Sequence, residues 1–164
     1  MITREDLVVQ SAENFITREL QARDYTPDKV VIRDAFPGPE ERASELETTT
    51  VATGFNFDDG GRPVELGSDL IQRVYSIEFW VFGTTPEYGQ NVAHVIRAIF
   101  EQDYLLPLED IRQPDNPVID QLQLAEPQGT KVTRQIARDP RPWEMFVWTT
   151  TVRVQDYYSP SEWS

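Results

Sequence analysis

Between Thr3 and Arg23 the apolar residues Val8, Ala12, Phe15, Ile16 and Leu20 recur at helical spacing, and a period near 3.6 residues places such side chains on one face of an α-helix. Thr3, with Asp6 three positions on, approximates a capping box at its start, and Asp24 to Pro27 ends it. Val30 to Ile32 supply a short apolar strand. Phe36-Pro37-Gly38-Pro39 and the acidic run Glu40 to Glu47 read as a loop or arm. From Thr48 the period drops to two. Thr49, Val51, Thr53, Phe55 and Phe57 share one face, and Asp58-Asp59-Gly60-Gly61 marks a turn. Arg73 to Phe82 is a third strand, with Tyr75, Ile77, Phe79 and Val81 on one face and Val74, Ser76, Glu78, Trp80 and Phe82 on the other.

The stretch IEFWVFGTTPEYGQ then switches from strand to helix. Thr85 suits the N-cap, Pro86 the first helical position and Glu87 the positive end of the helix dipole. Tyr88, Val92, Val95, Ile96, Ile99 and Phe100 make a broad apolar face on a helix running to about Tyr104. Leu105 to Pro117, with three prolines, reads as a loop. Val118 to Leu124 and Lys131 to Ile136 read as weaker strands joined around Pro127-Gln128-Gly129, in a hairpin or long flap. Met145 to Asp156 alternates clearly and reads as a central strand. This order predicts an α+β fold, a mostly antiparallel sheet with an N-terminal helix and a second helix packed on one face. Residues 1–158 are expected to form a single domain, and 159–164 a short polar end.

Composition narrows the chemistry. At 164 residues, the chain suits one domain with a substantial core. No apolar run approaches the ~20 residues needed to cross a bilayer, and residues 1–20 lack the residue order of a signal peptide. The expectation is a soluble chain with no membrane partner. With no cysteine, disulfides, thiolate metal sites and cysteine nucleophiles are excluded, which suits a reducing cytosol. A net charge of −13 opposes tight nucleic-acid binding. His94 is the single histidine, so triads and two-histidine zinc motifs cannot form. Asp58-Asp59-Gly60-Gly61 does not continue as a calcium loop, and Gly83 to Gly89 lacks the Gly-Lys-Ser/Thr ending of a phosphate loop. A pair of catalytic carboxylates would meet in space rather than in sequence, and the pattern offers no support for one. No cofactor, metal or enzymatic activity is expected.

Charge is segregated instead. Glu101 to Glu126 holds seven acidic residues, including Glu109, Asp110 and Asp115, against Arg112 alone, whereas Lys131, Arg134, Arg138 and Arg141 face only Asp139. The plain reading is two solvated loops. The sharper one is an acidic face of one copy meeting a basic face of the next, the complementarity of a head-to-tail contact that closes into a ring. Trp80, Phe82 and Trp143 belong to the residue types enriched in interface cores, though a two-sided core would also absorb them. These ten residues are the candidate subunit or tube interface.

The leading helix, the strand TTTVATGFNF, the aromatic strand RVYSIEFWVFG, the helix TPEYGQNVAHVIRAIFEQ and the last strand WEMFVWTTTVRVQDYY together resemble the tail terminator proteins of long-tailed bacteriophages. The likeness spans most of residues 3–158 and rests on pattern, since that family carries no catalytic motif. The acidic loop at Glu40 to Glu47 and the Pro-rich Leu105 to Pro117 depart from it. The resemblance implies a virion protein of the tail or neck, assembled in the host cytoplasm. It implies a homo-oligomeric ring, usually a hexamer, that caps the tail tube protein, ends its polymerisation and joins the tail to the head-connector (adaptor or stopper) protein. DNA would pass through an acidic channel without tight binding. The alternatives are another neck component, such as a head–tail connector or tail completion protein, and, from other classes, a small α+β enzyme or a binding module.

Overall fold

The computed structural model describes residues 1–33, 49–57, 62–64, 67–103, 105–125, 130–134 and 147–163. Helix α1 spans Arg4–Gln21. Its capping box forms as the sequence predicts: the Asp6 amide donates to Thr3 Oγ1 at 3.3 Å, and the Thr3 amide donates back to Asp6 Oδ2 at 2.8 Å. Asp24, with φ at 65°, turns the chain just beyond the helix in the left-handed region that Asp tolerates better than most residues. Leu7, Val8, Ala12, Ile16 and Leu20 are fully buried along one face.

The sheet grows outward from two long central strands. β4 (Ile71–Phe82) and β8 (Val147–Tyr158) pair antiparallel from Ile71↔Tyr158 to Phe82↔Val147. β2 (Thr49–Phe57) lies on the other side of β4, and β1 (Val30–Arg33) pairs parallel with β2. The two-residue β3 (Arg62–Pro63) pairs with the start of β4. Along the far edge of β8 run β6 (Val118–Leu124) and β7 (Thr130–Arg134), and β5 (Leu105–Glu109) pairs with β6. Among the described residues, all pairings other than β1–β2 are antiparallel, and the fold is α+β as predicted.

Strand alternation fixes what each face carries. Tyr75, Ile77, Phe79 and Val81 are fully buried, as are Val154, Val152 and Thr150, the β8 partners of the first three. Helix α2 (Pro86–Asp103) lies over this face, burying Val92, Ala93, Ile96, Ile99 and Phe100. The Phe100 ring sits 5.7 Å from Phe79 and 5.4 Å from Phe15 of α1, so one side chain joins both helices to the sheet. Each such burial contributes ~1.5–3 kcal/mol before conformational entropy is counted.

The strand-to-helix switch has a steric cause. A Cβ on Gly83 would lie 2.7 Å from Gly89 Cα and 2.8 Å from the Thr85 carbonyl oxygen, so only glycine lets the first turn of α2 close on the end of β4. Thr85 is the N-cap, its Oγ1 accepting from the Tyr88 amide at 3.1 Å.

Two expectations are corrected. Leu105 to Glu109 is a strand rather than part of a loop: Leu106 and Leu108 alternate inward, and Pro107, which lacks an N–H, is tolerated because β5 is an edge strand. The strands at Val118–Leu124 and Thr130–Arg134 do not pair with each other as a hairpin. Both run antiparallel to β8 along the same edge, and the hairpin partner of β6 is β5. The expected connection at Pro127-Gln128-Gly129 lies outside the described residues. In α2, Val95 is only half-buried, whereas its neighbour Ile96 is fully enclosed. His94 is exposed, its ring centroid 6.5 Å from that of Trp148.

Candidate assembly surfaces

Trp80 and Phe82 project from β4 on the face opposite the helices, as alternation requires. Both are half-buried. The floor around them is made of small side chains: Ala52 and Thr149 flank Trp80, Thr50 and Val147 flank Phe82, and all four are buried. The indole reaches over Gly54, whose hypothetical Cβ would lie 3.7 Å from Trp80 Nε1. That nitrogen donates to Glu78 Oε2 at 3.1 Å, which fixes the ring's polar edge. The result is a large, oriented aromatic surface, partly open, on a bed of Ala, Gly and Thr.

The acidic candidates divide. Glu109 is buried and tied to α1: it accepts from Asn14 Nδ2 at 2.9 Å and from Arg18, and its amide donates to Ser11 Oγ at 2.8 Å. Asp110 is buried as the organiser of the β5–β6 turn. It accepts from Arg112 Nε at 2.7 Å, from Arg112 Nη2 at 3.0 Å and from Gln113 at 3.0 Å. These bonds, the one from Arg112 foremost, hold the Asp110 carboxyl well below the ordinary carboxylate range. Neither carboxylate faces outward. Asp115, farther along the same turn, is exposed.

Of the basic candidates, Lys131 and Arg134 lie exposed on β7, and the Arg134 guanidinium stacks over Trp148 with its carbon 5.9 Å from the ring centroid. Arg138, Arg141 and Trp143 lie outside the described residues. Next to β7, Glu101 accepts from Thr130 Oγ1 at 2.5 Å and Arg97 Nε at 2.9 Å, and these two bonds depress its carboxyl in that order of importance.

One cluster escaped the sequence reading. Arg4, at the start of α1, is buried and bonds Asp156 of β8 through Nε at 2.8 Å and Nη2 at 2.7 Å, while Nη2 also reaches Asp120 of β6 at 3.0 Å. Tyr75 donates to the same Asp156 at 3.3 Å, and Tyr158 stacks under the Arg4 guanidinium at 5.1 Å. Burial by itself would lower the Arg4 pKa, but the bonds and charges of Asp156 and Asp120 outweigh it and the guanidinium is held above its ordinary value. Burial, reinforced by the Asp156 charge, pushes the Tyr75 hydroxyl far above its usual range. The cluster fastens the start of α1 to β8 and β6 through charge-assisted hydrogen bonds. A signal existed in the sequence: Arg4 falls in step with the Val8–Ala12 stripe, and Asp156 at an inward position of β8.

Among the described residues, no group of three His, Cys, Asp or Glu side chains is placed to hold a metal ion, and no helix is long and apolar enough to cross a membrane. No protein-family profile matches the sequence, and no curated protein does.

Proposed function

We propose that this chain is a structural subunit of a long-tailed phage virion. Copies assemble into a ring, a hexamer by the resemblance described above, that caps the tail tube, ends its polymerisation and joins the tail to the head connector. The observation that carries this reading is the two-sided sheet. One face is sealed by α1 and α2, and the other presents Trp80 and Phe82, half-buried on a floor of small residues, the kind of aromatic anchor around which protein interfaces are built. The charge balance supports it as well, because −13 per subunit, multiplied around a ring, lets DNA pass through the channel without adhering. In this role the protein needs no catalytic group or cofactor, and it acts in the virion neck after assembly in the host cytoplasm.

Electron microscopy of the purified chain tests the proposal. Closed rings around a central channel are the expected result. A monodisperse monomer up to the solubility limit contradicts it.

A further inference from the structure

The β5–β6 hairpin ends in an apolar tip, where Val118 is 53% exposed and its neighbour Ile119 43%. The pairing skips Ile119, because Leu108 meets Asp120 and Glu109 meets Val118, and a bulge of this kind bends its strand and re-aims a side chain. The turn behind the tip is firmly bonded. The Asp110 amide donates to the Pro117 carbonyl at 2.9 Å, the Asn116 amide to the Gln113 carbonyl at 3.1 Å, and the Asp110 carboxylate accepts from Arg112 and Gln113. Aliphatic side chains held out on such a support lose little freedom on binding. Asp115 stands exposed on the same turn, with no ion-pair or hydrogen-bond partner among the described residues.

A matching cavity lies across the sheet. Thr17 and Gln21 of α1, Tyr25 and Pro27 of the turn after it, and Val30 and Ile32 of β1 line a half-open volume of about 210 Å³. Small-molecule sites typically run to ~300–1,000 Å³, whereas an apolar cavity of ~150 Å³ already holds a benzene. The size therefore suits one or two aliphatic side chains rather than a metabolite. Beside Val30, the exposed Lys29 reaches the Asp24 carbonyl at 3.2 Å and forms no salt bridge among the described residues, while the adjacent Asp28 carboxylate accepts from the Thr26 hydroxyl. Tip and cavity thus each carry an apolar element and one unanswered charge, of opposite sign. In the strand order β1-β2-β4-β8-β6 the two sites are four spacings apart, roughly 19 Å at ~4.8 Å each. The tip does not reach the cavity of its own chain.

We propose that the tip at Val118 and Ile119 of one copy seats in the α1–β1 cavity of the next, with Asp115 set against Lys29. The two surfaces differ and lie toward opposite edges of the sheet, so the contact is heterologous and runs head to tail, as a ring requires. The inference rests on the ring reading and adds the pair of surfaces that closes it.

Disulfide trapping is the test, and the chain has no cysteine of its own to confuse it. A variant with both Val118→Cys and Gln21→Cys, mildly oxidised, should give a ladder of linked multimers on a non-reducing gel. A disulfide needs Cα atoms within ~7 Å, which only neighbouring copies provide for this pair. Either single variant should run as a monomer. In parallel, Val118→Asp should raise the dissociation constant between copies about tenfold or more by native mass spectrometry, with circular dichroism unchanged. Ile119→Asp replaces it should it fail to fold. No ladder from a double variant that assembles as the wild type does, a single variant that links as fully as the pair, or wild-type assembly by Val118→Asp overturns the inference and leaves the ring standing. A ladder from a chain that never closes into rings upholds this docking and contradicts ring closure instead. Monomers throughout contradict both.

Discussion

Arg4 clasps both carboxylate oxygens of Asp156, a residue 152 positions later in the chain, at 2.7 and 2.8 Å in a buried site. The pair ties the first turn of α1 to the C-terminal end of the central strand β8, and through Asp120 it also reaches β6. Replacing Arg4 by Met leaves the Asp156 charge enclosed without its partner and is expected to cost about 3–5 kcal/mol. Asp120→Asn, on the solvent-open branch, should cost about 1 kcal/mol or less. Urea denaturation of the two variants checks the ranking, and equal losses would contradict it.

The core predicts a contrast between adjacent residues of α2. Ile96 is fully buried whereas Val95 is partly open, so Ile96→Asp encloses a carboxylate and should cost several kcal/mol of a total near ~5–15 kcal/mol. Val95→Asp should be milder. Thermal unfolding followed by circular dichroism separates them, and a higher melting temperature for Ile96→Asp would count against the helix register.

At the strand-to-helix switch, Gly83→Ala must push the new methyl against Gly89 and the Thr85 carbonyl. Overpacking of this kind typically costs about 1–3 kcal/mol. A melting temperature equal to wild type would show that the switch relaxes freely.

Both helices, their caps and the long strands were legible because each signal was local and repeated. The Thr3–Asp6 box, the stripe through α1 and the alternation through Phe79 and Thr150 each report on a single element. What was not legible depended on tertiary partners. Leu105–Glu109 reads as part of a loop that holds three prolines, and only its place at the sheet edge makes Pro107 harmless. Glu109 and Asp110 resembled members of a surface acidic run, yet Asn14, Arg18 and Arg112 draw them inward. The β6–β7 pair had the pattern of a hairpin, and nothing in its sequence says that both halves prefer β8. Arg4 and Asp156 are far apart in the chain, so their pairing left only the inward position of each as a trace.

Acid should act through the Asp110 turn. The carboxyl of Asp110 is depressed below its ordinary value of 3.8, chiefly by Arg112 and then by Gln113. A depressed folded pKa gives stability that is fully present above the unfolded value and lost as pH falls through the folded one. Asp110→Asn should therefore be less stable than wild type at pH 7, and the gap should narrow progressively below about pH 3.8. Melting temperatures across an acid series measure it, and a gap that widened on acidification would reverse the assignment.

Native mass spectrometry of the wild type beside the Trp80→Ser, Phe82→Ser double variant tests the ring most directly. Truncating an interface aromatic that is a hot spot costs on the order of 2 kcal/mol or more of association. These two side chains lie on the face away from both helices, so assembly should fail before folding does. The expected result is a ring mass for the wild type and a monomer mass for the variant with its circular dichroism intact. Identical ring masses for both would contradict an interface role for this face, and a monomeric wild type would contradict the ring itself.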